Sequence, residues 1–150
     1  MPQSLSELLV HLIFSTKDRE PFLTPAIRSD MHGYLAATIR LLDAECYRVG
    51  GTADHVHLAI RLPRTVTVAK LVQTAKANSS KWAKTLNPAL RHFAWQRGYG
   101  VFSVSKTHLR PLVDYIDHQE EHHRTLTFQD EYRKLLVKLG VEFDERYVWD

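Results

Sequence analysis

The stretch Cys46-Tyr-Arg-Val-Gly-Gly-Thr-Ala-Asp-His-Val-His-Leu-Ala-Ile-Arg61 decides the fold. Two strand-like runs, 46–49 and 55–61, flank Gly50-Gly51. The joining residues are more than a tight turn needs but too few for a crossover connection, so the runs pair antiparallel. Side chains alternate across a strand. Val56, Leu58 and Ile60 therefore share one face, and His55, His57 and Ala59 the other.

Outward from this hairpin, residues 8–15 read as a buried strand. A helix opens at Thr24-Pro25, with proline in the first turn, and runs to about residue 42; Ile27, Met31, Tyr34, Leu35, Ile39 and Leu42 recur at helical spacing. A second helix covers 65 to about 86, with Val68, Leu71, Val72, Ala75 and Trp82 on its apolar side. Residues 93–105 hold two short strand-like runs around Arg97-Gly98-Tyr99-Gly100. A third helix spans about 111–123, and a fourth covers 128–139, with Thr127 and Asp130 as a cap pair and Gly140 as its stop. Alternating element types and a mainly antiparallel sheet predict an α+β fold, a single-domain αβ sandwich with helices packed on the sheet, over 1–150.

Composition narrows the class without naming a function. Of 150 residues, 44% are hydrophobic and 25% charged, ordinary for a globular chain able to bury a core unaided. One cysteine, Cys46, cannot staple the fold and suits a reducing compartment. No signal-peptide order and no bilayer-length apolar run is present, so a soluble, cytoplasmic protein is expected. The net charge of +3 permits a nucleic-acid partner without requiring one. Nine histidines are the sharper feature, because imidazole is the commonest metal ligand and proton shuttle.

Two segments carry chemistry. His55 and His57, at i and i+2 on one strand face, can converge on one ion, with Ala59 leaving room beside them. A half-buried strand with two outward polar residues explains the same spacing. Tyr115 and Gln119 lie at i and i+4, stacked a turn apart on one helical face. A phenol can act as a covalent nucleophile, but with a pKa near 10 it needs help. A metal that polarises a phosphate would supply it, and imidazole with a carbonyl oxygen suits Mg or Mn. Taken alone, Tyr115 is more often a core tyrosine. His123, at i+4 from Gln119, is within reach of the same site.

Basic side chains offer several paths for a phosphate backbone. Lys70, Lys81 and Lys84 fall near one angular position of the second helix. Arg61 and Arg64 close the histidine strand, and Lys17 and Arg97 complete the candidate DNA contacts. Phe93, Trp95 and Tyr99 interleave with Arg91 and Arg97, a mix able to stack unpaired bases, although core packing also explains Phe93 and Trp95.

Taken together, these segments resemble the HUH-type single-tyrosine transposases of the smallest bacterial insertion sequences, the 200/605 type, REP-associated relatives included. The resemblance rests on His-Leu-Ile-Phe-Ser-Thr-Lys at 11–17, His-Val-His at 55–57 and Trp-Gln-Arg-Gly-Tyr-Gly-Val-Phe-Ser-Val-Ser at 95–105. It extends to Tyr-Ile-x-x-Gln-x-x-His-His at 115–123 and Phe-Gln-Asp-Glu-Tyr at 128–132. It implies a ferredoxin-like or RRM-like HUH fold, Tyr115 as nucleophile, and His55, His57 and Gln119 as ligands of a divalent metal, Mg or Mn. It further implies cleavage and rejoining of single-stranded DNA beside hairpins through a 5′-phosphotyrosine bond, by a homodimer whose sites are shared between chains. A host-retained relative acting on chromosomal repeat hairpins and a catalytically silent hairpin-binding protein are the alternatives. His118, where many relatives carry asparagine, departs from the pattern.

Overall fold

The computed structural model describes residues 2–150. Strands β1 (Leu8–Ser15), β2 (Glu45–Gly51), β3 (His55–Leu62) and β4 (Gly100–Val104) form one sheet in the order β2-β3-β1-β4, with every pair antiparallel. Helices α1 (Pro25–Arg40) and α2 (Val68–Ala83) cover one face. Helices α3 (Leu109–Asp117), α4 (Gln119–His122) and α5 (Phe128–Leu139) cover the other. The result is the expected α+β sandwich in ferredoxin-like order. No helix among the described residues is long and apolar enough to cross a membrane.

Alternation along the central strands divides the interior. Leu12, Phe14, Val56, Leu58 and Ile60 point into the larger core with Met31, Leu35, Ile39, Leu71 and Val72. Ile13 joins Phe128, Tyr132 and Leu136 in a smaller cluster on the other side. On that second face the register sets Ser15 opposite His55, Ile13 opposite His57 and His11 opposite Ala59. Polar strand residues are thus buried where apolar ones would be cheaper, a sign that this layer does more than pack.

Two local expectations change. Residues 93–105 contain one strand, not two: Trp95 makes only an isolated bridge to Thr16, and the side-chain oxygen of Gln96 accepts from the Ser15 N–H at 2.8 Å where a ladder carbonyl would stand. The predicted helix over 111–123 begins at Leu109 and breaks at His118, whose φ of −105° and ψ of 20° leave the helical region. There the His118 Nδ1–H donates to the Asp114 carbonyl at 2.6 Å, a local bond that competes with the backbone ladder. Strand β1, read as buried, is flanked by β3 and β4, and only β2 and β4 are edges. Residues Lys106–His108 form a 3-10 turn in which the Ser105 hydroxyl lies 2.7 Å from His108 Nδ1.

Helix α3 sits tightly on its own sheet because β2 carries glycine at the contact. A Cβ on Gly50 would lie 2.6 Å from Ile116 Cγ2 and 2.7 Å from the Ile116 carbonyl oxygen. Gly50→Ala should therefore push α3 outward, costing about 1–3 kcal/mol by overpacking. A lower urea midpoint at constant m-value is expected. Any function that needs the neighbouring Tyr115 in place should fall with it. A midpoint equal to wild type would show that α3 does not depend on this contact.

Candidate functional site

Two strand histidines, two residues of the broken helix and one acid of α5 meet beneath the second face of the sheet. His55, His57 and Gln119 are each at most 1% exposed, and Glu131 is 6% exposed. His57 Nε2 lies 3.0 Å from Glu131 Oε1, and His123 Nε2 lies 3.1 Å from the same oxygen. The other carboxylate oxygen, Oε2, accepts from the Tyr115 hydroxyl and, at 3.0 Å, from the Gln119 amide nitrogen. One carboxylate therefore faces the histidines with one oxygen and the tyrosine with the other.

The hydrogen-bond directions expose an electrostatic demand. His55 Nδ1–H donates to Asp54 Oδ1 at 2.8 Å, and His123 Nδ1–H donates to the Leu126 carbonyl at 2.5 Å, since both partners only accept. In the neutral rings the Nε2 atoms then carry lone pairs. Both face Gln119 Oε1, at 2.9 and 3.1 Å, and that oxygen is held in place by the amide's own bond to Glu131. Lone pairs aimed at one another repel unless positive charge lies among them, either as protons on the imidazoles or as a metal cation. One donor atom from each of His55, His57 and Glu131 lies within 4.8 Å of the others, which fits a divalent ion.

The titration directions follow from this crowding. Burial would raise the Glu131 carboxyl, but hydrogen bonds from His123 and His57 hold it well below the ordinary range. Burial takes His57 down to about 4, against the pull of Glu131, and burial with the neighbouring His57 takes His11 to about 3. Both rings are neutral near pH 7. Burial and then the Glu131 carboxylate raise the Tyr115 phenol above its usual value, so it is harder to ionise here than in water.

The structure sorts the residues expected from sequence. Tyr115, His55, His57 and Gln119 lie together, and the break at His118 does not part Tyr115 from Gln119. Lys70 and Lys81 lie exposed on α2 and Lys84 at its C-cap, across the sheet from Tyr115. Lys17 and Arg97 line a separate cleft with Trp95 and Trp149. Arg61 pairs with Glu45 at 3.2 Å, and Arg64 is exposed beyond β3. Phe93 and Trp95 are core residues, and Trp95 Nε1–H donates to Ser79 Oγ at 2.9 Å. Two site residues escaped the sequence reading. Glu131 stands three residues after Phe128 and four before Leu135, an acid on the apolar stripe of α5. His11 shares a face of β1 with Ile13, and its ring stacks on His57 at 5.0 Å between centroids.

Residues 4–119 match the family model for IS200-like transposases. The chain belongs to that family, within the IS200/605 HUH group. The transposases of insertion sequence IS200 from Salmonella typhimurium (strain LT2) and Salmonella typhi are each 30% identical over 122 residues, 74% of this chain and 76% of the relative. Two solved structures share the fold. A chain from Deinococcus radiodurans R1 described as a transposase has a TM-score of 0.62 at 21% identity, covering 79% of this chain and 98% of its own. A REP-associated tyrosine transposase bound to a REP hairpin has a TM-score of 0.61 at 14% identity, covering 82% and 72%. The family is one of DNA-cleaving and strand-transferring enzymes. The transposase match ends at residue 119, so α5 and Glu131 lie beyond it.

Proposed function

We propose that this chain, acting as one unit over 1–150 in the cytoplasm, cleaves and rejoins single-stranded DNA beside hairpins, with Tyr115 as nucleophile. The observation that carries the reading is the meeting of the Tyr115 hydroxyl and the His55–His57 pair on one buried carboxylate, in a chain of this family. His55, His57 and Gln119, with Glu131 added, would hold a divalent metal, Mg or Mn, which when bound polarises the scissile phosphate. The ligand set then includes a carboxylate, and is not the all-neutral set of two imidazoles and an amide. Tyr115 Oη attacks phosphorus, the bond to the 3′-oxygen breaks, and a 5′-phosphotyrosine and a 3′-hydroxyl result. Glu131 takes the phenolic proton through Oε2 and releases it to water, from which the departing 3′-oxygen takes one, so the proton count is unchanged. In the reverse sense, a 3′-hydroxyl attacks the phosphotyrosine and restores the phenol, so no nucleotide hydrolysis is needed. His57 stays oriented by His11, whose Nε2 lies 2.8 Å from its Nδ1. The test is a denaturing gel of the full chain with Mn and hairpin-flanked single strands from the gene's own ends. A covalent adduct is expected; its absence would sink the reading.

The homodimer implied by the resemblance is part of this proposal, but its sharing of sites has a competitor in the geometry. The Tyr115 ring lies 5.7 Å from the His57 ring of its own chain. Mixing His57→Ala with Tyr115→Phe chains under subunit exchange distinguishes the two arrangements. Shared sites would restore part of the cleavage, because one site in each mixed dimer then carries no defect. With a full set in each chain, we expect no recovery, and recovery would reassign the tyrosine to the partner's histidines.

A further inference from the structure

Beside the tyrosine lies an open groove of about 600 Å³ between β4, α3 and α5. Its walls are Phe102, Leu112, Leu135 and Leu139, and its floor includes Tyr115 and Glu131. Glu131 is the only carboxylate among the described residues that line it, and both of its oxygens are engaged below the floor. Lys134 and Lys138 stand exposed at the mouth, one turn apart on α5, and neither forms an ion pair with any described residue.

We propose that this groove is a subsite for one unpaired nucleotide adjoining the scissile phosphate. Its base lies against Phe102 and the leucines, and its backbone runs past Lys134 and Lys138. The proposal rests on the strand-cleavage reading above and deepens it. Three observations select this occupant. Tyr115 and Glu131, its hydroxyl's partner, both line the groove, so whatever fills it lies beside the proposed nucleophile. The mouth is cationic and lacks a competing exposed acid, which suits a phosphate backbone. The walls are apolar with an aromatic ring, which suits a base already out of a duplex; a stacked pair has no free face to offer. Leu135, Leu139 and both lysines come from α5, outside residues 4–119, so this part of the subsite is an addition to the region matched by the family model.

The test uses the full chain and a fluorescein-labelled oligo-dT of about 12 nucleotides, within the usual site sizes. Anisotropy titrations run between about 50 and 200 mM salt. Single-strand contacts contribute about 0.7 each to the slope of log K against log salt, so Lys134→Gln with Lys138→Gln should lower the slope by about 1.4. Lys81→Gln with Lys84→Gln, on the opposite face of the sheet, should leave it unchanged. An abasic strand of equal length should bind wild type roughly tenfold more weakly than oligo-dT. Leu139→Asp, at a position already 46% exposed, should erase most of that preference. An unchanged slope in the α5 pair, a loss in the α2 pair, or an undiminished base preference in Leu139→Asp would each overturn the subsite. Adduct formation on hairpin DNA, measured in parallel, keeps the two readings apart. An adduct at Tyr115 with an unaltered α5 slope removes the subsite and leaves cleavage standing. Absence of an adduct with wild type removes cleavage, while the slopes still decide the binding groove.

Discussion

Tyr115→Phe is expected to abolish the covalent protein–DNA adduct and leave folding and hairpin binding intact. The change removes one oxygen from a half-buried ring that keeps its packing against His57 and His122. Glu131 Oε2 loses one donor but retains the Gln119 amide, so no buried oxygen is stranded and the stability cost is about 0.5–1.5 kcal/mol. Loss of a nucleophile has no such substitute, and adduct formation should fall by more than about a thousandfold. The chain has six tyrosines. Tyr132 is also buried next to Glu131 in sequence, so the adduct gel should be read with peptide mapping. If Tyr115→Phe still forms a phosphotyrosine bond, the nucleophile is another residue. A loss of hairpin affinity as large as the loss of adduct would make Tyr115 a binding residue instead.

Glu131→Gln is expected to produce the second-largest effect, on metal affinity and cleavage together. The substitution keeps the shape and one carbonyl oxygen but removes the charge that His57 and His123 face. An ion held by imidazoles and amides alone loses its only anionic ligand. Binding of Mn, followed by its electron paramagnetic resonance signal without DNA, should weaken by roughly ten- to a hundredfold. Cleavage should fall by about 10²–10³, as for other single groups that stabilise charge at the reacting centre. Circular dichroism should show the fold retained, because the introduced amide still bonds within the cluster. Unchanged Mn affinity with reduced cleavage would leave Glu131 as a tyrosine partner only. Unchanged values for both would remove it from the site.

Which parts of this were legible beforehand follows from the kind of interaction involved. Strand β1 and helix α5 lie where the sequence places them, because alternation, the Thr127 cap onto the Asp130 N–H and the left-handed Gly140 are local signals. Alternation also set His55 and His57 on one face. The run at 93–96 misled for the same reason. Phe93 and Trp95 alternate like a strand, but a Gln96 side chain takes the place of the ladder, and no local pattern announces that. The α2 lysines share an angular position as read, yet the face of the sheet a helix covers is settled by packing across the whole molecule. Glu131 was visible as an oddity, an acid on the stripe of Phe128, Tyr132 and Leu135, but its partners lie 74 and 16 residues away in sequence at His57 and Tyr115.

Those separations bear on when, during synthesis, the proposed site is first complete. During synthesis the histidine pair is finished early, the tyrosine follows after a long interval, and the acid that joins them comes later still. Contacts of such sequence separation close late, because the loop entropy between them must be overcome before they contribute. A nascent or clipped chain that lacks α5 holds His55, His57 and Gln119 without the Glu131 charge, and Tyr115 without its hydrogen-bond acceptor. On the cleavage reading proposed above, competence to cut would arrive with α5, as a checkpoint on completion of the fold.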